Sequence, residues 1–353
     1  MYNFGLHGDN WLFFKNWYEE VTSKIKWNGN ISRPIQEQQG VRQGGVWSPT
    51  AYKIFINKLL KTFEKNQLGA YIGCTYCGIP TVADDVTFIS KSPTELQTML
   101  DIQAYYANKQ RYLLSEQKST ILVLNDKENR SWSLNNKDLS TSESAVHLGI
   151  ERDSTSKSGS KEVICKRVIT ARKTTYSLMG AGLHGLNGVN PHVSAHLIQI
   201  YVIPRLLYGL DVINISRNDM EKLEVYHRKL MKQIQHLPIR SANSASLLLL
   251  GRIPIIGEIH KKILKTFGNI IRNDESVEKD IAIRQLAMKS ISSGSWFPKV
   301  AEIADQYNLP SPHDLIDNPP IKETWNKLVN QTISSHFILT LQQEAENKST
   351  LKY

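Results

Sequence analysis

Two amphipathic helical patterns with a β-rich segment between them constrain this fold more than any other feature of the sequence. The first helix is predicted to begin at Ser48-Pro49, where serine can cap a helix and proline fits its first position, and apolar residues recur at helical spacing as far as Phe63. The second is predicted to begin at the capping-box sequence Ser92-Pro93-Thr94-Glu95. Residues 71–90 between them are rich in β-branched and aromatic side chains, which favours strands. The first 150 residues are therefore predicted to mix helices and strands.

Two adjacent acids interrupt the β-rich segment. The apolar runs 79–83 and 86–90 flank Asp84-Asp85, a pattern that predicts a hairpin with both acids at its tip. Neighbouring carboxylates repel each other unless a cation lies between them, and Mg²⁺ is commonly held by one or two carboxylates together with substrate phosphates. Acidic residues are also ordinary turn formers. The pair alone favours a structural turn over a metal site.

The positive charge of the chain is concentrated in its middle. Lys and Arg outnumber Asp and Glu by 10 overall; residues 1–150 carry 16 basic and 14 acidic side chains, residues 151–300 carry 23 and 12, and residues 301–353 carry 4 and 7. Such asymmetry favours a polyanionic partner, either nucleic acid or an anionic membrane surface, although a charge that serves only solubility explains it equally well.

The sequence after Asp153 changes in character. A polar stretch, 154–160, is typical of a linker, and we place a domain boundary there. The rest is predicted to be mainly helical, with a glycine-rich break at 180–191 and a proline-rich loop at 309–320. The expected helices cover residues 161–179, 192–208, 218–235 and 258–271, and a further helix is expected from Lys322 onward.

The cysteine count and the hydropathy pattern predict an intracellular protein that does not enter the membrane. Three cysteines cannot form a disulfide framework, and the start of the chain does not have the pattern of a signal peptide. The most apolar long segment, 196–213, is interrupted by charged residues and a proline. Cys74 and Cys77 have zinc-ligand spacing, but no second pair follows, so we expect them to pack within strands.

The order of three sequence motifs resembles the reverse transcriptases of non-LTR (LINE-type) retrotransposons. These are the segment GVRQGGVWSP at 40–49, the helix that it opens, and Val82-Ala83-Asp84-Asp85. The resemblance implies an RNA-directed DNA polymerase that uses an RNA template, a DNA primer and deoxynucleoside triphosphates, with Mg²⁺ or Mn²⁺ as cofactor. It assigns Asp84 and Asp85 as catalytic metal ligands.

The same resemblance assigns roles to other residues. Arg42, Gln43, Gly44 and Gly45 would bind the nucleotide and template, which agrees with the close backbone approach that glycines allow and with the hydrogen-bond donors of Arg and Gln. The segment Trp27-Asn28-Gly29 with Ser32 matches a strand pair of the family. The remaining candidates are a catalytic Lys118, the primer-grip residues His147, Leu148 and Gly149, and the contacts to the nucleic-acid backbone Lys166, Arg167, Arg172 and Lys173.

The fold class implied is α+β. We expect a partial right-hand polymerase palm, an antiparallel sheet with helices, over residues 1–153, a basic helical thumb over 154–240, and a helical extension of unknown role over 241–353. Val82 departs from the family, which usually has an aromatic residue at that position.

The largest departure concerns the N-terminus. The sequence MYNFGLHGDNW resembles a segment that follows the family's first catalytic motif, so the fingers and that motif, with its own metal-binding aspartate, are expected to be missing. We therefore expect an N-terminally truncated reverse transcriptase that is inactive as an isolated chain, acting in the cytoplasm and nucleus. The alternatives are a non-catalytic remnant that binds RNA or RNA–DNA duplex and, less favoured, a helical interaction scaffold.

Overall fold

A computed structural model describes residues 1–126, 128, 130–154 and 160–348. The chain divides into two compact units, and each is described by itself. The first unit comprises residues 1–114 with 133–137, and the second comprises residues 115–132 with 138–353. Most of the polar stretch at which we place a boundary, residues 155–159, lies outside the described residues.

The first unit combines three helices with short antiparallel strand pairs. Strand β1 pairs with β4, β2 with β3, β5 with β6, and β7 with β8. This confirms the mixed helical and antiparallel-strand character predicted for the first part of the chain. After a 3₁₀ turn at Tyr2–Phe4, the elements are α1 (Gly8–Tyr18), β1 (Thr22–Ser23), β2 (Lys26–Trp27), β3 (Asn30–Ile31), β4 (Ile35–Gln36), α2 (Ser48–Lys65), β5 (Tyr71–Ile72), β6 (Thr75–Tyr76), β7 (Thr81–Val82), β8 (Asp85–Val86) and α3 (Pro93–Gln110).

Both predicted helix starts are found, but their serines act differently. Ser92 caps α3 by accepting a hydrogen bond from the Glu95 N–H at 3.4 Å. The Glu95 side chain does not complete a capping box there, because Oε1 accepts a 3.0 Å bond from the Gly69 N–H. Ser48 does not cap α2; its hydroxyl donates to the Arg42 carbonyl at 2.5 Å and so ties the preceding loop to the helix.

The core of the first unit lies between α2 and α3. The buried side chains of this core recur at helical spacing, which places them on one face of each helix. The Tyr106 hydroxyl, which would be costly to bury alone, donates to the Phe55 carbonyl at 2.8 Å. The cluster consists of Ile56, Leu59, Phe63, Met99 and Tyr106.

The second unit is mainly helical. Within it, β9 runs parallel to β12, and β13 pairs antiparallel with β14. Residues 133–137 belong to the first unit, so β10 and β11 each extend across the division between the units. Two 3₁₀ turns are present, at Glu116–Lys118 and Ile291–Ser293. From residue 115 onward, the strands and α-helices are β9 (Ile121–Leu122), β10 (Trp132–Leu134), β11 (Lys137–Leu139), β12 (Thr141–Ser142), β13 (Ser144–His147), β14 (Ile150–Asp153), α4 (Ser160–Gly180), α5 (Pro191–Tyr201), α6 (Ile203–Leu206), α7 (Arg217–Ile234), α8 (Asn243–Leu248), α9 (Ile255–Ile271), α10 (Val277–Met288), α11 (Trp296–Gln306), α12 (Pro312–Asp317) and α13 (Lys322–Glu346).

Two expectations about these helices are wrong. The single helix expected over 192–208 is broken at Val202 into α5 and α6, and Pro204 lies in the short second helix, where it cannot donate a helical hydrogen bond. The proline-rich loop expected at 309–320 contains α12, which begins with a complete capping box between Ser311 and Asp314.

The core of the second unit is continuous from α4 to α13. Trp325 on α13 is buried against α9, and its indole N–H donates to the Leu264 carbonyl at 2.9 Å. Gly268 makes this approach possible, because a Cβ there would lie 2.5 Å from the indole ring. Across the described parts of the chain, no helix has the length and apolar character needed to cross a membrane.

Candidate functional site

The two adjacent aspartates lie at the turn of the β7–β8 hairpin. Val82 pairs with Asp85, so Ala83 and Asp84 form the two-residue loop. Asp84 and Asp85 are both exposed. The predicted hairpin is therefore confirmed, with its tip one residue earlier than expected, and both carboxylates are open to solvent.

Backbone strain accompanies this turn. Ala83 has φ +51°, a left-handed conformation in which a Cβ is unfavourable. Tight hairpin loops that need a positive φ at their first residue usually have glycine there. Strained backbone outside glycine is found preferentially at functional sites, where the surrounding structure maintains it.

Hydrogen bonds from neighbouring segments maintain the hairpin beyond its short strands. The Ile89 N–H donates to the Gly78 carbonyl at 2.8 Å, and the Ile89 carbonyl accepts a 2.7 Å bond from the Ala70 N–H. The preceding residue, Gly69, donates its backbone N–H to the Glu95 carboxylate. The aspartate turn is thus connected through backbone bonds to the start of α3.

The Asp84 carboxylate acts electrostatically on the hydroxyl of Tyr52, which lies on α2. The pKa of the Tyr52 hydroxyl is raised, first because the side chain is partly buried and second because the Asp84 carboxylate opposes a second negative charge. Tyr52 lies within the helical pattern predicted to begin at Ser48, and no local pattern in the sequence connects it with Asp84. The structure therefore adds an α2 residue to the surroundings of the carboxylates.

The loop before α2 forms a tight turn that exposes two donors. The Gly45 N–H donates to the Arg42 carbonyl at 3.1 Å, and Gly44 has φ +80°. A Cβ on Gly45 would lie 2.7 Å from the Ser48 hydroxyl oxygen, so a side chain there would displace that hydroxyl from its bond to the Arg42 carbonyl. Arg42 and Gln43 are exposed, as binding to a phosphate or a base requires.

The carboxylate pair fits part of a divalent-cation site. Carboxylate oxygens are ligands that Mg²⁺ prefers, and one or two of them suffice when phosphates and water complete the shell. Within the described residues, no group of three or more His, Cys, Asp or Glu side chains is arranged to hold a metal. Asp84 and Asp85 therefore suit a cation that is shared with a phosphate substrate.

The candidate catalytic lysine and the hairpin that carries the candidate primer-grip residues belong to the second unit. Lys118 is exposed at the end of the 3₁₀ turn Glu116–Lys118. In the β13–β14 hairpin, Leu148 and Gly149 form a two-residue turn with φ +49° and +72°. The His147 Nε2 atom is buried without a hydrogen-bond partner among the described residues.

The four basic residues predicted on α4 divide into two pairs. Lys166 forms an ion pair with Glu151, and Arg167 donates to the Gly149 carbonyl, so both side chains hold the β13–β14 hairpin. Arg172 and Lys173 are exposed, which leaves their charges accessible to a polyanion. The sequence signal, a run of basic residues on one helix, did not distinguish these pairs.

Comparison with known proteins shows what the N-terminal part of the chain is similar to. Residues 1–157 match the reverse transcriptase (RNA-dependent DNA polymerase) family. Over 89 residues, a quarter of this chain, the sequence is 27% identical to the retrovirus-related Pol polyprotein from a type-2 retrotransposable element of Drosophila melanogaster, of which the match covers 8%. Residues 1–157 are therefore similar to reverse transcriptases, and an 89-residue stretch is similar to the polyprotein of a retrotransposable element.

Proposed function

We propose that this chain contributes a palm segment and a basic helical segment of the RNA-directed DNA polymerase of a non-LTR retrotransposon. The observation that carries the proposal is the exposed Asp84-Asp85 pair at a strained turn, close to α2 of a matched reverse transcriptase segment. Its nucleic-acid partners are an RNA template and a DNA primer, together with deoxynucleoside triphosphates in a complete enzyme.

The candidate residues other than Lys166 and Arg167, which hold the β13–β14 hairpin, have direct roles in this proposal. Arg42 and Gln43 bind the template or nucleotide, and Gly44 and Gly45 let the backbone approach it closely. Lys118 is a candidate proton donor to the departing pyrophosphate. The primer end lies against His147, Leu148 and Gly149, and the duplex backbone against Arg172 and Lys173.

Asp84 and Asp85 would hold Mg²⁺ or Mn²⁺ together with phosphate groups of the bound substrate. When bound, such ions activate the attacking oxygen and stabilise the charge on the leaving oxygens. The chain itself supplies two adjacent carboxylates, and within the described residues no third metal-binding side chain joins them. We therefore propose that the isolated chain binds template and primer but does not extend the primer.

Primer extension tests the catalytic part of this proposal. The full chain is incubated with an RNA template, a DNA primer, nucleotides and Mg²⁺ or Mn²⁺, beside the Asp84→Ala variant. We expect no incorporation by either protein. Incorporation by the wild-type chain that Asp84→Ala abolishes would show that the chain is active by itself.

Both the polymerase interpretation and the remnant interpretation require that the chain binds RNA–DNA duplex, and a binding experiment tests this. We expect the logarithm of the affinity to fall linearly with the logarithm of the salt concentration, because bound cations are released from the duplex. The double substitution Arg172→Ala/Lys173→Ala should reduce the slope by about 1 to 2. Arg284→Ala/Lys289→Ala is the matched control, since both residues are exposed on or beside α10. The absence of binding at low salt would contradict both interpretations.

A further inference from the structure

Two side chains hold the turn of the β13–β14 hairpin from the helical part of the same unit. The Tyr208 hydroxyl donates to the Leu148 carbonyl at 2.9 Å. The Arg167 guanidinium, on α4, donates to the next carbonyl, that of Gly149. Both turn carbonyls are therefore fixed by donors that lie far away in sequence.

The two donors also support each other. The Arg167 guanidinium lies over the Tyr208 ring, 4.6 Å from its centroid, a distance suited to a cation–π contact. Removing either side chain would therefore disturb the other as well as its own hydrogen bond. Lys166, one residue away, adds an ion pair to Glu151 on β14.

Close backbone packing leaves the turn little freedom. A Cβ on Gly149 would lie 3.3 Å from the Tyr208 ring, in addition to the strain of its φ of +72°. Gly209 has φ +77°, and a Cβ there would lie 2.8 Å from the Ile150 side chain. The turn and the segment after α6 thus pack closely, and a side chain at either position would require its neighbour to shift.

We infer that Tyr208 and Arg167 are positioning residues that fix the turn of the β13–β14 hairpin for the primer end. This inference rests on the proposed function, which places the primer end against this hairpin. The carbonyls of Leu148 and Gly149 each accept one hydrogen bond from these side chains, so the two donors together favour a single conformation of the turn. Arg167 thereby acts on nucleic acid through the hairpin, whereas Arg172 and Lys173 are left to contact the duplex backbone.

The test compares two duplexes of equal length, one with a recessed 3′ primer end and one closed at both ends by loops. The measured quantity is the ratio of their affinities for the full chain. Tyr208→Phe removes only the hydroxyl and should lower the preference for the recessed end about threefold, while affinity for the closed duplex stays unchanged. Arg167→Ala should lower the preference further, and Arg167→Lys should restore part of it. Tyr201→Phe, at a half-exposed tyrosine on α5, is the matched control.

Amide hydrogen exchange over residues 146–151 provides a second readout that does not depend on nucleic acid. We expect faster exchange in Tyr208→Phe than in the wild type, with Tyr201→Phe unchanged. A wild-type chain that binds both duplexes equally would overturn the proposed primer role. A wild-type end preference that Tyr208→Phe leaves intact, with unchanged exchange in the hairpin, would overturn only the positioning role.

Discussion

Gly69 and Gly78 lie in backbone contact, so close that a Cβ on either would come within 2.8 Å of the other's Cα. Gly78 accepts the backbone bond from Ile89 that extends the β7–β8 hairpin, and Gly69 is bound by the Glu95 carboxylate. The contact between Gly69 and Gly78 therefore connects the hairpin that carries the two aspartates with the start of α3.

Substitution of Gly78 by alanine should destabilise the first unit by about 1 to 3 kcal/mol, because the added methyl group overlaps fixed backbone. Urea unfolding followed by a first-unit probe, such as protection of the α2 amides, measures the change. Gly180→Ala is the control, since a Cβ at the end of α4 meets nothing within 4 Å. An equal change in unfolding free energy for both substitutions would contradict the close contact between Gly69 and Gly78.

Substitution of Ala83 by glycine should stabilise the first unit by up to about 1 kcal/mol. The reason is that Ala83 has φ +51°, where glycine has no Cβ to strain, although its greater freedom in the unfolded chain offsets part of the gain. Ala104→Gly in α3 should have the opposite sign, since glycine inside a helix costs about 1 kcal/mol. Destabilisation by both would show that the Ala83 turn is not strained.

The stability of the second unit should fall as the pH drops from about 6.5 to about 4. Burial lowers the pKa of His227 and of His260 to about 4, with nearby cations as a secondary cause. The unfolded chain then binds protons that the folded chain excludes, so stability is full above the unfolded pKa and is lost as the pH falls through this range. The loss is about 3 kcal/mol per histidine.

Urea unfolding at a series of pH values measures this loss. His227→Gln should remove about half of the pH slope, whereas His196→Gln, at an exposed position on α5, should leave the slope unchanged. A wild-type slope that persists in the His227→Gln, His260→Gln double variant would assign the acid sensitivity to other groups.

The sequence predicted those parts of the first unit in which local chemistry decides the structure. Capping and periodicity gave the starts of α2 and α3, and the apolar runs around Asp84 gave the hairpin. The Asn28-Gly29 turn between β2 and β3 also agrees, with φ of +46° and +82°. Contacts between distant residues were not predictable, because no local pattern links Tyr52 with Asp84 or Glu95 with Gly69.

The second unit shows the same limit. Helix periodicity predicted α4, α7 and α9 within a few residues, yet the basic residues of α4 looked equivalent in the sequence. Only the folded chain shows that Arg167 binds a turn carbonyl while Arg172 remains exposed. The assigned roles of Lys118 and His147, like the domain boundary near residue 153 and the intracellular setting, stay predictions.

The most direct test of the account is whether a divalent cation binds at Asp84 and Asp85. Fe²⁺ with ascorbate, added to the full chain with an RNA–DNA template–primer, cleaves a protein backbone close to bound metal and so reports the position of the cation. We predict cleavage near residues 83–86 that Mg²⁺ competes away and that Asp84→Asn/Asp85→Asn abolishes, while the exposed pair Asp274→Asn/Glu275→Gln leaves it intact. Cleavage that is absent from this turn, or that persists in the Asp84→Asn/Asp85→Asn variant, would contradict the metal-binding role on which the proposed function rests.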